Sequence, residues 1–188
     1  MKVVIFHGTG GSPEGNWFPW LKKELEKLGH EVYVPRMPTP ENQSVETWCE
    51  ATQEQLPFWF GRDTILVGHS CGATWVCEVL SQPRKEGVRA SFFVSGFLDD
   101  LGDEWFDSRN RTFTHYLFDW ENVRKTGGKM TVLHGSDDPY VPRSQAEKLA
   151  GKLGCKPIFI EGGGHLNAES GYTEFPKLLK MIKEVISD

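Results

Sequence analysis

The pentapeptide Gly68-His69-Ser70-Cys71-Gly72 places one hydroxyl between two glycines. It follows the apolar run Thr64-Ile65-Leu66-Val67 and precedes Ala73-Thr74-Trp75-Val76. A serine held in a sharp strand-to-helix turn presents its hydroxyl at the tip of that turn, and small flanking residues let the backbone pass close by. The N–H of Cys71, opening the helix that follows, then points at the oxyanion an attack would create, where a helix N-terminus also favours negative charge. Glycines also flank serines in plain turns, so the pentapeptide alone leaves nucleophile and turn both open. A serine needs a base to take its proton, and the base needs an acid to orient it. Leu133-His134-Gly135-Ser136-Asp137-Asp138-Pro139-Tyr140-Val141-Pro142 supplies carboxylates, and Glu161-Gly162-Gly163-Gly164-His165 supplies an imidazole. Singly, the aspartates read as turn residues before a proline and His165 as a solvated loop histidine. Together they give serine, acid and base in the chain order that a strand–turn–helix serine uses.

These groups need a scaffold that delivers them to one place. Six short apolar runs read as strands: 3–6, 31–34, 64–67, 90–94, 130–133 and 157–160. Between them apolar residues recur at helical spacing. Trp17, Leu21, Leu25 and Leu28 form one stripe before Gly29. Ser44 caps a second helix bearing Val45, Trp48, Thr52 and Leu56. Ala73, Val76, Cys77 and Leu80 form a third, Ala146 to Leu153 a fourth, and Leu178 to Ile186 the last. Continuous apolar strands alternating with amphipathic helices imply parallel pairing with helices on both faces. The expected fold class is α/β: a three-layer sandwich around a six-stranded, mostly parallel sheet, in one domain spanning 1–188. Ligands of such sheets bind outside the carboxyl ends of the strands, where Ser70, Asp138 and His165 all fall. Residues 97–128 break the rhythm. The segment opens acidic, turns aromatic, and is expected to fold over the sheet, with Asp119 capping a short helix.

A chain of 188 residues is long enough to bury a substantial core. A net charge of −5 argues against nucleic acid as a partner, which needs a basic face. No apolar run reaches the roughly 18 residues that cross a bilayer. The first residues read as a strand running into glycines, so a cytoplasmic location is the default expectation. Cys49, Cys71, Cys77 and Cys155 include no C-x-x-C pair and read as small buried hydrophobes. No histidine pair has metal-ligand spacing. The loop His7-Gly8-Thr9-Gly10-Gly11 does not match either phosphate-binding glycine pattern.

Gly135, Asp138, Val141 and Pro142 match a G-x-x-D-x-x-V-P pattern of the α/β-hydrolase superfamily, which favours Asp138 over Asp137 as the acid and leaves Asp137 to the turn. His7-Gly8-Thr9-Gly10 resembles the H-G-x-G loop of these enzymes, and by that resemblance the N–H of Thr9 is the second oxyanion donor. The likeness runs closer, nearly end to end. The chain resembles the small serine hydrolases named for retinoblastoma-binding protein nine, which include bacterial YdeN-like proteins. The resemblance is carried by the short length, His7-Gly8-Thr9-Gly10-Gly11 with Trp17 to Leu21 after it, Pro35-Arg36-Met37-Pro38, Gly68 to Gly72, Leu98 to Glu104, Phe118-Asp119-Trp120-Glu121, Ser136 to Pro142 and Gly163-Gly164-His165-Leu166-Asn167. It implies a minimal α/β hydrolase without a large cap, a Ser70–Asp138–His165 triad, no cofactor, and esterase activity on small acyl esters. Pocket-protein binding does not carry over, because Leu153-Gly154-Cys155-Lys156-Pro157 lacks the glutamate of L-x-C-x-E.

Among the aromatics Trp17, Phe18, Trp20, Phe58, Trp59 and Phe60, Trp17 follows the glycine loop and is the candidate for the substrate pocket; the others read mainly as core. His69 is a candidate to hold the serine turn in shape. The acidic run 99–107 reads as a solvated loop, with a bias against anionic substrates as its functional alternative. The expected partner is a small acyl substrate; protein partners are left open. Two other readings stay open: cleavage of amides or acyl transfer by the same site, and a binding module with an idle site.

Overall fold

The computed structural model describes residues 1–56, 58 and 60–187. Six strands pair in the order β2-β1-β3-β4-β5-β6, and every pairing is parallel. They are β1 (Lys2–Phe6), β2 (Glu31–Tyr33), β3 (Thr64–His69), β4 (Ala90–Val94), β5 (Lys129–Gly135) and β6 (Ile158–Ile160). All six carboxyl ends therefore lie along one edge. From β1 the chain runs outward to β2 and then crosses back to β3, so the strand order reverses between β1 and β3. That reversal opens a crevice at the carboxyl edge.

Strand alternation builds two cores. Val4, Phe6, Leu66, Phe93 and Val132 face one layer; Val3, Ile5, Ile65, Val67, Phe92 and Val94 face the other. The second layer is α1 (Phe18–Glu26) with the C-terminal helix α7 (Pro176–Ser187), which contribute Phe18, Leu21, Leu25, Leu178, Ile182 and Val185. The first layer holds α2 (Val45–Gln55), α3 (Cys71–Ser81), α4 (Glu104–Thr114), α5 (Trp120–Thr126) and α6 (Arg143–Leu153). Ser44 caps α2 in a reciprocal capping box with Thr47. Leu28, expected on the stripe of α1, lies past its end and is exposed. Leu153 ends α6 in the core and Gly154 follows in the left-handed conformation, so that segment is a helix terminus.

The region expected to fold over the sheet does so as two helices. Asp103 caps α4 through the Phe106 amide, and Asp119 caps α5 through that of Asn122. Phe113 of α4 packs edge-on against Trp48 (5.0 Å between ring centroids) and Trp75 (6.3 Å), which anchors α4 between α2 and α3. Such aromatic pairs contribute about 0.5–1.5 kcal/mol each beyond burial. The acidic residues nearby are tied up locally. Asp99 pairs with Lys148, Asp100 accepts from Thr114, and the Asp107 carboxylate accepts from the amides of Leu101 and Gly102.

Candidate active site

Ser70 stands between β3 and α3 with φ 57° and ψ −125°, a conformation that L-residues rarely adopt. Its amide donates to the Val94 carbonyl (2.8 Å), which ties the turn to β4. Its hydroxyl does not cap α3, so it is not drawn into the helix end. The flanking glycines are required by close approach. A Cβ on Gly72 would lie 2.3 Å from the Phe6 carbonyl oxygen, and one on Gly68 would lie 2.3 Å from that of Gly72. The turn therefore fits only if β1, β3 and the start of α3 touch backbone to backbone. Cys71 opens α3, where the first N–H groups of a helix have no intrahelical acceptor. Burial pushes its thiol far above the usual range, so it stays protonated beside Ser70.

Next to this turn, Gly8 to Gly11 form a turn of their own, closed by the Gly11 amide donating to the Gly8 carbonyl (3.0 Å), with Gly10 at φ 69°. Only glycine takes that φ without strain. Thr9 sits at the corner. Thr9, Ser70 and His165 line one cavity of about 280 Å³, together with Phe97, Leu101, Phe106, Tyr140, Asn16, Asn167 and Glu169.

His165 Nδ1 donates to Asp138 Oδ2 at 2.8 Å, and the Asp138 side chain is 1% exposed. The other carboxylate oxygen, Oδ1, accepts from the amides of Tyr140 and Val141, both at 3.0 Å. Burial pushes Asp138 up. The His165 hydrogen bond and charge and the two amides outweigh it and hold the carboxyl below its usual value. Beneath it, His134 donates from Nε2 to the Val141 carbonyl (3.0 Å); burial lowers its pKa and keeps it neutral. Asp138 thus forms the turn itself. Asp137, expected to serve the turn, instead accepts from the Gly164 amide (2.9 Å) and tethers the loop that carries His165. The ring of Tyr140 meets that of His165 edge-on at 5.3 Å, and its hydroxyl donates to Glu169 (2.6 Å).

His69, expected to hold the serine turn, supports the histidine loop. Its Nε2–H donates to the His165 carbonyl (2.9 Å), which also accepts from the Ser95 hydroxyl (3.2 Å). Burial, aided by the His165 charge, pushes His69 down to about 3. The folded state thus refuses a proton that the unfolded chain accepts near pH 6.5. Stability from this residue is complete above pH 6.5 and falls with acidification, by about 2 kcal/mol between pH 6.5 and pH 5. Urea unfolding at pH 7.5 and pH 5 is expected to show that loss. His69→Gln, which retains a donor for the His165 carbonyl, should be flatter by a similar amount; parallel curves would count against the assignment.

Trp17 does not line the cavity. It is fully buried in the other layer, donates from Nε1 to the Leu166 carbonyl (2.8 Å) and packs on Phe18 and Phe175. It immediately precedes α1, whose apolar face packs in the second layer. Phe58 packs against Tyr33, and Trp59 lies outside the described residues. The apolar wall comes instead from Phe97, Leu101, Phe106 and Tyr140. The acidic run 99–107 contributes no carboxylate to the lining; Glu169 does. Among the described residues, no group of three or more His, Cys, Asp or Glu side chains is placed to hold a metal ion, and no helix is long and apolar enough to cross a membrane.

The parallel sheet, its crossover and the serine at the β3–α3 turn are those of an α/β hydrolase without a large cap. The chain belongs to the serine hydrolase family, whose model matches residues 3–184. It is 29% identical to YdeN of Bacillus subtilis over 99% of this chain and 96% of that one. It is 26% identical to the rat (Rattus norvegicus) serine hydrolase RBBP9 over the same shares. The crystal structure of the Bacillus subtilis ydeN product superposes with a TM-score of 0.89, covering 100% of this chain and 99% of that one. Est1E from Butyrivibrio proteoclasticus shares the fold at 18% identity (TM-score 0.72; 100% and 88% covered).

Proposed function

We propose that this protein hydrolyses small carboxylic esters by acyl transfer through Ser70. The observation that carries this reading is the 2.8 Å His165–Asp138 hydrogen bond beside a cavity that the strained Ser70 and His165 both line. With Nδ1–H committed to Asp138, the neutral imidazole keeps its lone pair on Nε2, the atom that takes the Ser70 proton. The hydroxyl oxygen attacks the acyl carbon as the proton moves to His165. The amides of Thr9 and Cys71 receive the negative charge on the former carbonyl oxygen. His165 then protonates the departing alcohol. Water, deprotonated by the same imidazole, releases the acid from Ser70 and restores the enzyme.

Fluorophosphonate labelling tests the reading. One adduct is expected, on Ser70, by intact mass and peptide mapping; a folded protein that takes no label there sinks it. The cavity also supports a charge preference. Glu169 lies in its wall and, among the described residues, no lysine or arginine does. A substrate carboxylate about 8 Å from Glu169 is disfavoured by about 0.5–2 kcal/mol at an effective dielectric of 80 to 20. p-Nitrophenyl butyrate is therefore expected to be cleaved a few-fold to about thirtyfold faster, in kcat/KM, than mono-p-nitrophenyl succinate. Glu169→Gln, which can still accept from Tyr140, should narrow that gap at low salt; an unchanged ratio rules out Glu169 as the cause.

A further inference from the structure

Three other segments, and Thr39 of its own, converge on the side chain of Gln43, a buried residue in the connection between β2 and α2. Its Nε2 donates to Thr9 Oγ1 (2.9 Å) and to Asn110 Oδ1 (2.9 Å), and lies 3.7 Å from Cys71 Sγ. Its Oε1 accepts from the Thr39 hydroxyl (2.5 Å), and Thr39 Oγ1 accepts from the Gly10 amide (2.7 Å). The Thr9 hydroxyl donates to Asn110 Oδ1 (2.9 Å), closing a ring of three side chains. One amide thus touches the side chains of both residues whose backbone N–H groups are proposed to bind the oxyanion.

The direction of every bond in this network follows from one anchor. Asn110, buried on α4, donates from Nδ2 to the Phe106 carbonyl (2.8 Å). Its Oδ1 must then face Gln43 and Thr9, so Gln43 must present Nε2 there and turn Oε1 toward Thr39. Thr39 must donate its only proton to Oε1 and is left to accept from Gly10. A flipped Gln43 would set its oxygen against that of Asn110. The set is therefore satisfied in one orientation, and a fully satisfied buried network rigidifies what it touches.

We infer that Gln43 is a positioning residue for the oxyanion hole, fixing the Thr9 turn against the start of α3, with Asn110 and Thr39 holding Gln43 in its orientation. This rests on the hydrolase reading above. An oxyanion hole works because its donors are already oriented when charge develops, and displacements of about 1 Å cost on the order of 100-fold in rate. The Thr9 hydroxyl is held by Gln43 and Asn110 within this ring, next to the Cys71 thiol, which it also contacts. The inference also gives α4 a role. Asn110 links the helix packed over the cavity to the loop beneath it, so the position of α4 and the competence of the hole are coupled.

The test separates positioning from packing. Gln43→Met fills nearly the same volume and removes every polar contact. With p-nitrophenyl acetate it is expected to lower kcat about 10- to 100-fold while KM stays within about twofold, since a misplaced hole weakens the transition state and not the bound ester. The Ki of phenylboronic acid, which forms a tetrahedral adduct on a reactive serine, should rise by a similar factor. Combining Gln43→Met with Asn110→Leu should cost little more than either alone, because both break one network. A cooperatively folding Gln43→Met with wild-type kcat and boronate affinity overturns the inference. If that variant does not fold, Thr39→Ala decides: Thr39 is only partly buried, and removing its hydroxyl severs the Gly10 link and one of the contacts that orient Gln43, while the Gln43 side chain itself is retained. It should lose about three- to tenfold in kcat with KM held, and wild-type kcat there also overturns the inference. A wild-type protein that neither cleaves ester nor takes fluorophosphonate defeats the hydrolase reading itself, and this inference falls with it; active wild type with active variants defeats the inference alone.

Discussion

Ser70→Ala is expected to abolish fluorophosphonate labelling and to lower ester hydrolysis by about four to six orders of magnitude, leaving the fold intact. The size follows from what the hydroxyl does in the proposed mechanism: it forms the only covalent bond to the acyl group, and no neighbour replaces it. The Cys71 thiol is buried and held protonated. His165→Ala should lose a comparable factor, because residues acting as one unit fail together; the double variant should be little worse than either single one. The backbone adds a second readout. Ser70 holds φ 57° and ψ −125°, a region that costs a side-chain-bearing residue on the order of 1–3 kcal/mol. Ser70→Gly should therefore be as inactive as Ser70→Ala yet more stable by about 1 kcal/mol, after allowing for the extra chain entropy of glycine. Measuring kcat/KM and urea midpoints for both variants checks the two claims independently. If Ser70→Ala retains more than a hundredth of the activity, another residue carries the acyl group. If Ser70→Gly gains no stability, the turn is not strained by its serine.

The scaffold was legible because each strand is a short apolar run and each layer helix carries a stripe. The runs at 64–67 and 90–94 lie at the strands observed, and Gly68 to Gly72 falls at the end of β3. The likeness of Gly135 to Pro142 to a family pattern already pointed to Asp138 as the partner of His165. The role of Asp137 was not legible: it sits at the same strand end, and only the fold shows that it reaches Gly164. Trp17 misled by proximity: it follows the glycine loop in sequence, but the helix it introduces packs on the far layer. The segment Glu104–Thr114 did not announce a helix, since Trp105, Phe106 and Phe113 make no regular stripe and its other buried residue is the polar Asn110. Gln43 carried no sequence signal at all. Its partners lie 4, 28, 34 and 67 residues away, and a lone glutamine in a polar connection has no period to read. What the sequence lacked in each case was the third dimension of a loop, where chemistry depends on convergence and not on repetition.

Asp138→Asn is expected to lower kcat/KM by about 10⁴-fold, and Asp137→Asn by less than about tenfold. The contrast arises from what each carboxylate accepts. Asp137 receives one backbone N–H, from Gly164, and an asparagine carbonyl can accept it equally, losing only the extra strength of a charged acceptor. Asp138 receives three donors: the amides of Tyr140 and Val141 on Oδ1, and His165 Nδ1 on Oδ2. In Asp138→Asn the two amides keep the carbonyl oxygen facing the turn, which turns the new NH₂ group toward His165. Two donors cannot face each other, so the imidazole must move its proton from Nδ1 to Nε2. In that tautomer Nε2 has no lone pair for the Ser70 proton, and the base is lost while the geometry survives. The residual activity should therefore rise with hydroxide concentration, as the external base takes over from the imidazole. In the wild type, lowering the pH has an allied effect. Asp138 is held ionised below its usual range, so its contribution to stability is complete above about pH 4 and disappears only as the pH falls through its depressed folded value. Asp138 thus stays charged across the neutral range. Rates of p-nitrophenyl acetate hydrolysis from pH 5 to 10 for the wild type and both variants read all of this at once. Equal losses at 137 and 138 would mean that the 2.8 Å contact positions a loop and orients no base.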